Sequence, residues 1–273
     1  MIQPGLYFTA VTGRRGRVLA ALLAAGLLAF FPAARGDNAP VVAAAASVQF
    51  ALGEITDAFR ADTGQSVRVS LGSSGNLARQ IRQGAPYQVF LSADERFVLE
   101  LARDGFTEDK GALYSIGRIV LFVPRGSPLK ADGSLQDLRS ALGDGRLRKL
   151  AIANPEHAPY GRRAEEALRS AGLWQIIRNH LVYGESVAQA AQFASSRNAQ
   201  GGIIAESLAR SAKISALGSF ALIAESWHRP LRQRMVLLKG AGPAARRFYA
   251  YLRQPPARAV FAKYAISLPD ELD

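Results

Sequence analysis

Ala151-Ile152-Ala153-Asn154-Pro155-Glu156-His157-Ala158-Pro159-Tyr160-Gly161, running straight into the helical pattern 162–173, is the stretch that decides the fold. A short apolar strand ends in a proline-rich turn, and Pro159 fixes the start of a helix. The free N–H groups of that helix's first turn therefore face the carboxyl edge of a sheet. Such an edge attracts anions, because unpaired N–H groups and the helix dipole point the same way. The device recurs at Ala43-Ala44-Ala45-Ala46-Ser47, at Gly72-Ser73-Ser74-Gly75-Asn76-Leu77 and at Gly184-Glu185-Ser186-Val187. Four helix starts without a catalytic cluster point to capture of a small oxyanion.

Outward from these turns, short apolar runs alternate with amphipathic helical patterns, which predicts an α/β protein with largely parallel sheets. Strands are expected over 41–45, 67–70, 89–92, 118–123, 150–152, 202–205, 220–223 and 235–238. Val48, Ala51, Ile55, Ala58 and Phe59 fall on one helical face, as do Val187, Ala190, Ala191 and Ala194. Ser186 and Gln189 have the spacing of a capping box. The run 118–123 ends at Pro124, and a similar extended run returns at 229–238. Two crossings of this kind predict one lobe from 37–117 and 232–273, a second from 118–231, and a binding cleft between them. No internal repeat is visible.

Residues 1–36 read as a signal peptide. Arg14, Arg15 and Arg17 precede the uncharged run 18–31, and Ala34-Arg35-Gly36 supplies small residues two apart. The run is short for a membrane span, which takes about 20 apolar residues. The expectation is an exported, periplasmic protein using ordinary secretion, since the residues around Arg14-Arg15 fit a twin-arginine signal poorly. Removing the segment takes away four arginines and lowers the net charge from +12 to +8. The remaining charges are dispersed, and an exported chain seldom meets nucleic acid, so no nucleic-acid partner is expected. The absence of cysteine excludes disulfides, thiolate metal sites and a lipid anchor through a thioether.

Together, residues 44–47, Ser73-Ser74-Gly75-Asn76-Leu77-Ala78-Arg79-Gln80-Ile81, Gly84-Ala85-Pro86, Val89-Phe90-Leu91-Ser92-Ala93-Asp94, residues 154–161 and Phe261-Ala262-Lys263-Tyr264 resemble the periplasmic molybdate-binding proteins of ABC importers. The resemblance implies a two-lobed, type II periplasmic binding protein that closes on molybdate or tungstate and delivers it to an ABC permease. It also implies a monomer that needs no cofactor and is not an enzyme. Carried over to this chain, Ser47 and Ser74 each supply a hydroxyl and an N–H from the first lobe. Tyr160 and Val187 supply backbone N–H groups from the second.

Two positions depart from the family. Some members place a tyrosine where this chain has Ala205, and others an aspartate where it has Gln88. Against the ligand roles, Ser47 and Ser74 would serve as plain N-caps, worth about 1 kcal/mol each, and Tyr160 as a packing residue. His157 is expected to cap the turn before Tyr160. Binding of another oxyanion, sulfate or phosphate, is the nearest alternative. An exported serine hydrolase built on Gly72-Ser73-Ser74-Gly75 and one of His157, His180 and His228 is a further one, lacking the Gly-x-Ser-x-Gly spacing of a nucleophile elbow. Three dispersed histidines offer no metal-ligand spacing.

Overall fold

The computed structural model describes Met1 and residues 39–267. The expected signal segment, Met1 apart, lies outside the described residues. Among the described residues, ten strands form two five-stranded sheets. The first contains β1 (Val41–Ala45), β2 (Arg68–Gly72), β3 (Tyr87–Ser92), β4 (Ala112–Gly117) and β10 (Leu231–Leu237), in the order β2-β1-β3-β10-β4. The second contains β5 (Ile119–Pro124), β6 (Leu150–Ala153), β7 (Leu181–Gly184), β8 (Gly201–Ala205) and β9 (Gly218–Leu222), in the order β7-β6-β8-β5-β9. With helices on their faces, these sheets make the two lobes of a type II arrangement.

Each sheet is mixed where the alternation predicts mainly parallel pairing. β1 is parallel to β2 and β3, and β6 is parallel to β7 and β8. β10 is antiparallel to β3 and β4, and β5 is antiparallel to β8 and β9. The reason lies in the crossings. Only Arg118 separates β4 from β5, and residues 223–230 join β9 to β10 without an α-helix long enough to turn the chain. A strand reached without a helical crossover runs against its neighbours. The two crossings lie side by side, tied by an Arg118–Glu225 ion pair.

Six of the eight expected strands appear within two residues at each end, as does the seventh, 220–223, shifted to Gly218–Leu222. The last, 235–238, is extended back to Leu231. β4 and β7 were not legible. β4 is a short strand whose apolar run is broken by Ser115 and ended by Gly117, and β7 is an edge strand whose Tyr183 is exposed. Neither shows the continuous apolar run of β1 or β5, whose burial comes from helices on both faces.

The predicted helical faces do turn inward. On Gln49–Thr63, Ala51, Leu52, Ile55 and Phe59 are buried, and Phe59 meets Phe248 and Tyr251 edge-on at 5.1 and 5.3 Å. Leu77, Ile81, Phe90, Val98 and Leu101 fill the other face of the first sheet. In the second lobe Val187, Ala190, Ala191 and Ala194 pack on the strands beneath them. Small alanines there let the Val187–Ser195 helix sit close, which sets the position of its N-terminus.

Candidate oxyanion-binding site

All four sequence-predicted residues meet at one place. Ser47, Ser74, Tyr160 and Val187 line a single small cavity of about 10 Å³ between the two sheets, room for about one water. All four are buried, Ser74 completely. The first lobe supplies Ala45, Ala46, Ser47, Gly72, Ser73, Ser74 and Ala93, and the second supplies Ala158, Pro159, Tyr160 and Val187. None of these side chains carries a charge. Two larger hollows, of about 290 and 460 Å³, carry charge: the first is lined by Arg148, Lys149 and Arg197, the second by arginines with Asp94, Glu95 and Glu100.

The walls are built from backbone ends. β1 ends at Ala45 and leads through a short 3-10 turn, Ala46–Val48, into the helix Gln49–Thr63. β2 ends at Gly72, and Ser73 is the N-cap of Ser74–Arg82. β6 ends at Ala153, and Pro159 opens the helix Pro159–Ser170. Having no N–H itself, Pro159 leaves that of Tyr160 as the first donor, before Arg162 N closes the first turn on Ala158 O. β7 ends at Gly184, and Ser186 caps Val187–Ser195.

The serines do different work from plain caps. Neither Ser73 nor the residue before the Ala46–Val48 turn makes a side-chain cap bond. Ser74 Oγ accepts from Ala93 N at 2.9 Å, which leaves the hydroxyl proton free to be donated. Ser47 Oγ is buried with no partner at hydrogen-bonding distance and angle. A buried hydroxyl without a partner costs stability unless a guest satisfies it. By contrast half of the Ser186–Gln189 capping box forms: Ser186 Oγ accepts from Gln189 N, while the Gln189 amide oxygen accepts from Glu185 N, one residue before the cap, in place of the cap's own N–H.

The Tyr160 phenol points away from its own helix start. Its oxygen accepts from Gln233 Nε2 of the first lobe at 2.8 Å. Burial pushes this phenol up to about 12, opposed by the neighbouring hydroxyls of Ser47 and Ser207 and by Gln233. The side chain therefore stays neutral. Val187 has an inert side chain and offers only its N–H.

Similarity to known proteins agrees with this geometry. The pattern of the family described as bacterial extracellular solute-binding protein matches residues 40–265. The chain belongs to that family. It is 35% identical over 254 residues to the molybdate-binding protein ModA of Azotobacter vinelandii, covering 92% of this chain and 97% of that one. It is 34% identical over 236 residues to ModA of Rhodobacter capsulatus, covering 85% and 89%. The solved structure of the Azotobacter vinelandii periplasmic molybdate-binding protein superposes with a TM-score of 0.77 at 29% identity, covering 85% of this chain and all of that one.

Within this solute-binding family, the two departures have structural readings. Ala205 is fully buried at the end of β8 and lies outside the cavity wall. Two residues on, Ser207 Oγ donates to Ser47 O at 2.8 Å and so steadies the turn that carries Ser47. Gln88 Oε1 accepts from Gly242 N, anchoring the start of the Pro243–Tyr251 helix rather than the site.

The sequence reading missed the residues that join the two walls. His157 does not cap its own turn; Asn154 does, accepting from Glu156 N through Oδ1 and from Ala158 N through its carbonyl. The imidazole reaches Ser73 Oγ at 2.9 Å through Nδ1 and Glu185 at 3.3 Å through Nε2. Serine, histidine and carboxylate thus stand in series. Ser73 has ordinary extended backbone (φ −75°, ψ 145°), unlike the strained elbow of a nucleophile, and Glu185 is 74% exposed.

Proposed function

We propose that this chain captures molybdate, or tungstate, in the cavity between its lobes and delivers it to an ABC permease from the periplasm. The observation that carries the reading is a small, uncharged cavity at which four helix starts converge, two from each lobe, with two buried serine hydroxyls beside them. Each helix start carries about half a positive charge, so four of them balance a dianion without a buried ammonium or guanidinium. A site of neutral donors also releases its guest more readily than one with a buried countercharge.

In this reading Ser47 and Ser74 donate hydroxyl and backbone hydrogen bonds, and Tyr160 and Val187 donate backbone N–H groups. The transported anion itself contains the metal, so binding requires no cofactor. One chain supplies both walls, so a monomer suffices. The resemblance to ModA proteins over nearly their whole length supports the choice of ligand, and the charged run at the N-terminus supports export.

The test is isothermal calorimetry and thermal shift on protein stripped of bound ions, with molybdate, tungstate, sulfate and phosphate in parallel. A ligand that binds only the folded state raises the melting temperature in proportion to its affinity and concentration. Tight binding confined to the two group-six oxyanions is expected. Preferential binding of sulfate or phosphate would reassign the ligand, and silence toward all four would end the reading.

A further inference from the structure

We infer that His157 is an interlobe clasp that holds the cavity shut, a positioning residue that sets how slowly the bound oxyanion leaves. The inference rests on the oxyanion reading above and assigns its regulation to a side chain outside the donor set.

Three of the four turns that wall the cavity meet at this residue. The turn 154–158 carries it. The first-lobe turn touches it twice: Ser73 Oγ lies 2.9 Å from Nδ1, and Gly75 N donates to His157 O at 3.0 Å. The turn before Val187 touches it through Glu185 Oε2, 3.3 Å from Nε2. One imidazole thus spans from the first lobe, through its own turn, to the second helix start of its own lobe.

The local chemistry is committed to this contact. Ser73 is the N-cap of its helix, where a serine hydroxyl ordinarily accepts from the helix's own first turn, yet it makes no such bond and turns to the histidine instead. Gly75 is the residue that lets the backbones approach, because a Cβ there would stand 2.6 Å from His157 O. These bonds cross between lobes, so opening the cleft breaks them and closing it forms them. They add to the closed state and contribute nothing to the open one, and a two-state equilibrium shifts by that difference.

The experiment is a double-mutant cycle of His157→Ala and Ser73→Ala read by stopped-flow molybdate dissociation. Each single variant is expected to release molybdate about five-fold faster, the effect of one net hydrogen bond. The double variant is expected to release it no faster than the singles, because the two substitutions remove the same bond. Association rates and unliganded melting temperatures are expected to stay near those of the parent. Unchanged dissociation, effects that multiply to about 25-fold, or a loss seen only in melting temperature would overturn the clasp.

A second measurement is independent of ligand identity. The chain has no cysteine, so Asp57→Cys in the first lobe and Ile176→Cys in the second give one fluorophore pair for single-molecule energy transfer. His157→Ala is expected to lower the closed-to-open ratio of the unliganded protein about five-fold, and an unchanged ratio would overturn the clasp. Failure of the parent protein to bind molybdate would strike the proposed ligand alone, leaving this ratio to decide the clasp.

Discussion

The two lobes share one plan and differ in how they finish it. Both sheets have the same order: a strand bearing the first helix start lies second, a strand bearing the next lies at the edge, and an antiparallel crossing strand lies fourth. β1 and β2 therefore correspond to β6 and β7. In the first lobe these strands lead to Ser47 and Ser74, both with hydroxyls at the cavity; in the second they lead to Tyr160 and Val187, whose side chains are a phenol bonded elsewhere and an aliphatic group. The same architecture yields one wall that depends on side-chain chemistry and another that depends on backbone placement. A substitution should therefore act in the first lobe through lost donors and in the second through a displaced main chain.

The comparison can be broken in four ways, ranked by effect on binding. Gly75→Ala should be the most damaging, because its methyl group would collide with the main chain of the opposite lobe. A molybdate affinity lower by about 3 kcal/mol is expected by calorimetry, the upper range for overpacking a closed contact; an affinity within three-fold of the parent would show that lobe approach does not govern binding. Ser47→Ala and Ser74→Ala should each weaken binding by about 1–3 kcal/mol, the range for losing a hydrogen bond to a charged group. Ser74→Ala should in addition lower thermal stability, since Ala93 N loses its acceptor.

Tyr160→Phe should leave molybdate affinity within about three-fold of the parent, since the donor is the backbone. Its effect belongs to stability. The folded protein holds this phenol near 12 against an ordinary value near 10, so the fold favours the protonated form. That contribution is complete below pH 10 and drains away as the pH climbs to 12, reaching about 3 kcal/mol for a shift of two units on a fully buried group. Tyr251 and Tyr264 are also raised to about 12, so chemical denaturation of parent and variant at pH 8, 10 and 12 isolates the Tyr160 share. The variant should lose less stability across that range. Val187→Ala is the mildest: affinity within two-fold, with a small packing loss. A tenfold loss there would give the second wall a side-chain role and collapse the contrast.

Sequence alone carried much of this protein. The four strand-to-turn-to-helix junctions were legible because apolar runs, Pro159, Ser186 and the glycines at 72 and 184 act locally, within a few residues, on backbone geometry. Short-range rules place each of the four helix starts; that Ser47, Ser74, Tyr160 and Val187 are the residues at the ligand came from the family resemblance, and that they line one cavity is the work of the tertiary structure. Tertiary structure decided what depends on distant pairing. The antiparallel pairings of β5 with β8 and of β10 with β3, and the Ser73–His157 and Tyr160–Gln233 contacts, join residues 70 or more positions apart, and the edge strand β7 and the repeated sheet order likewise rest on pairing. Such partners leave no periodicity along the chain, because side chains meet across a cleft according to how two lobes pack and not according to their spacing in sequence.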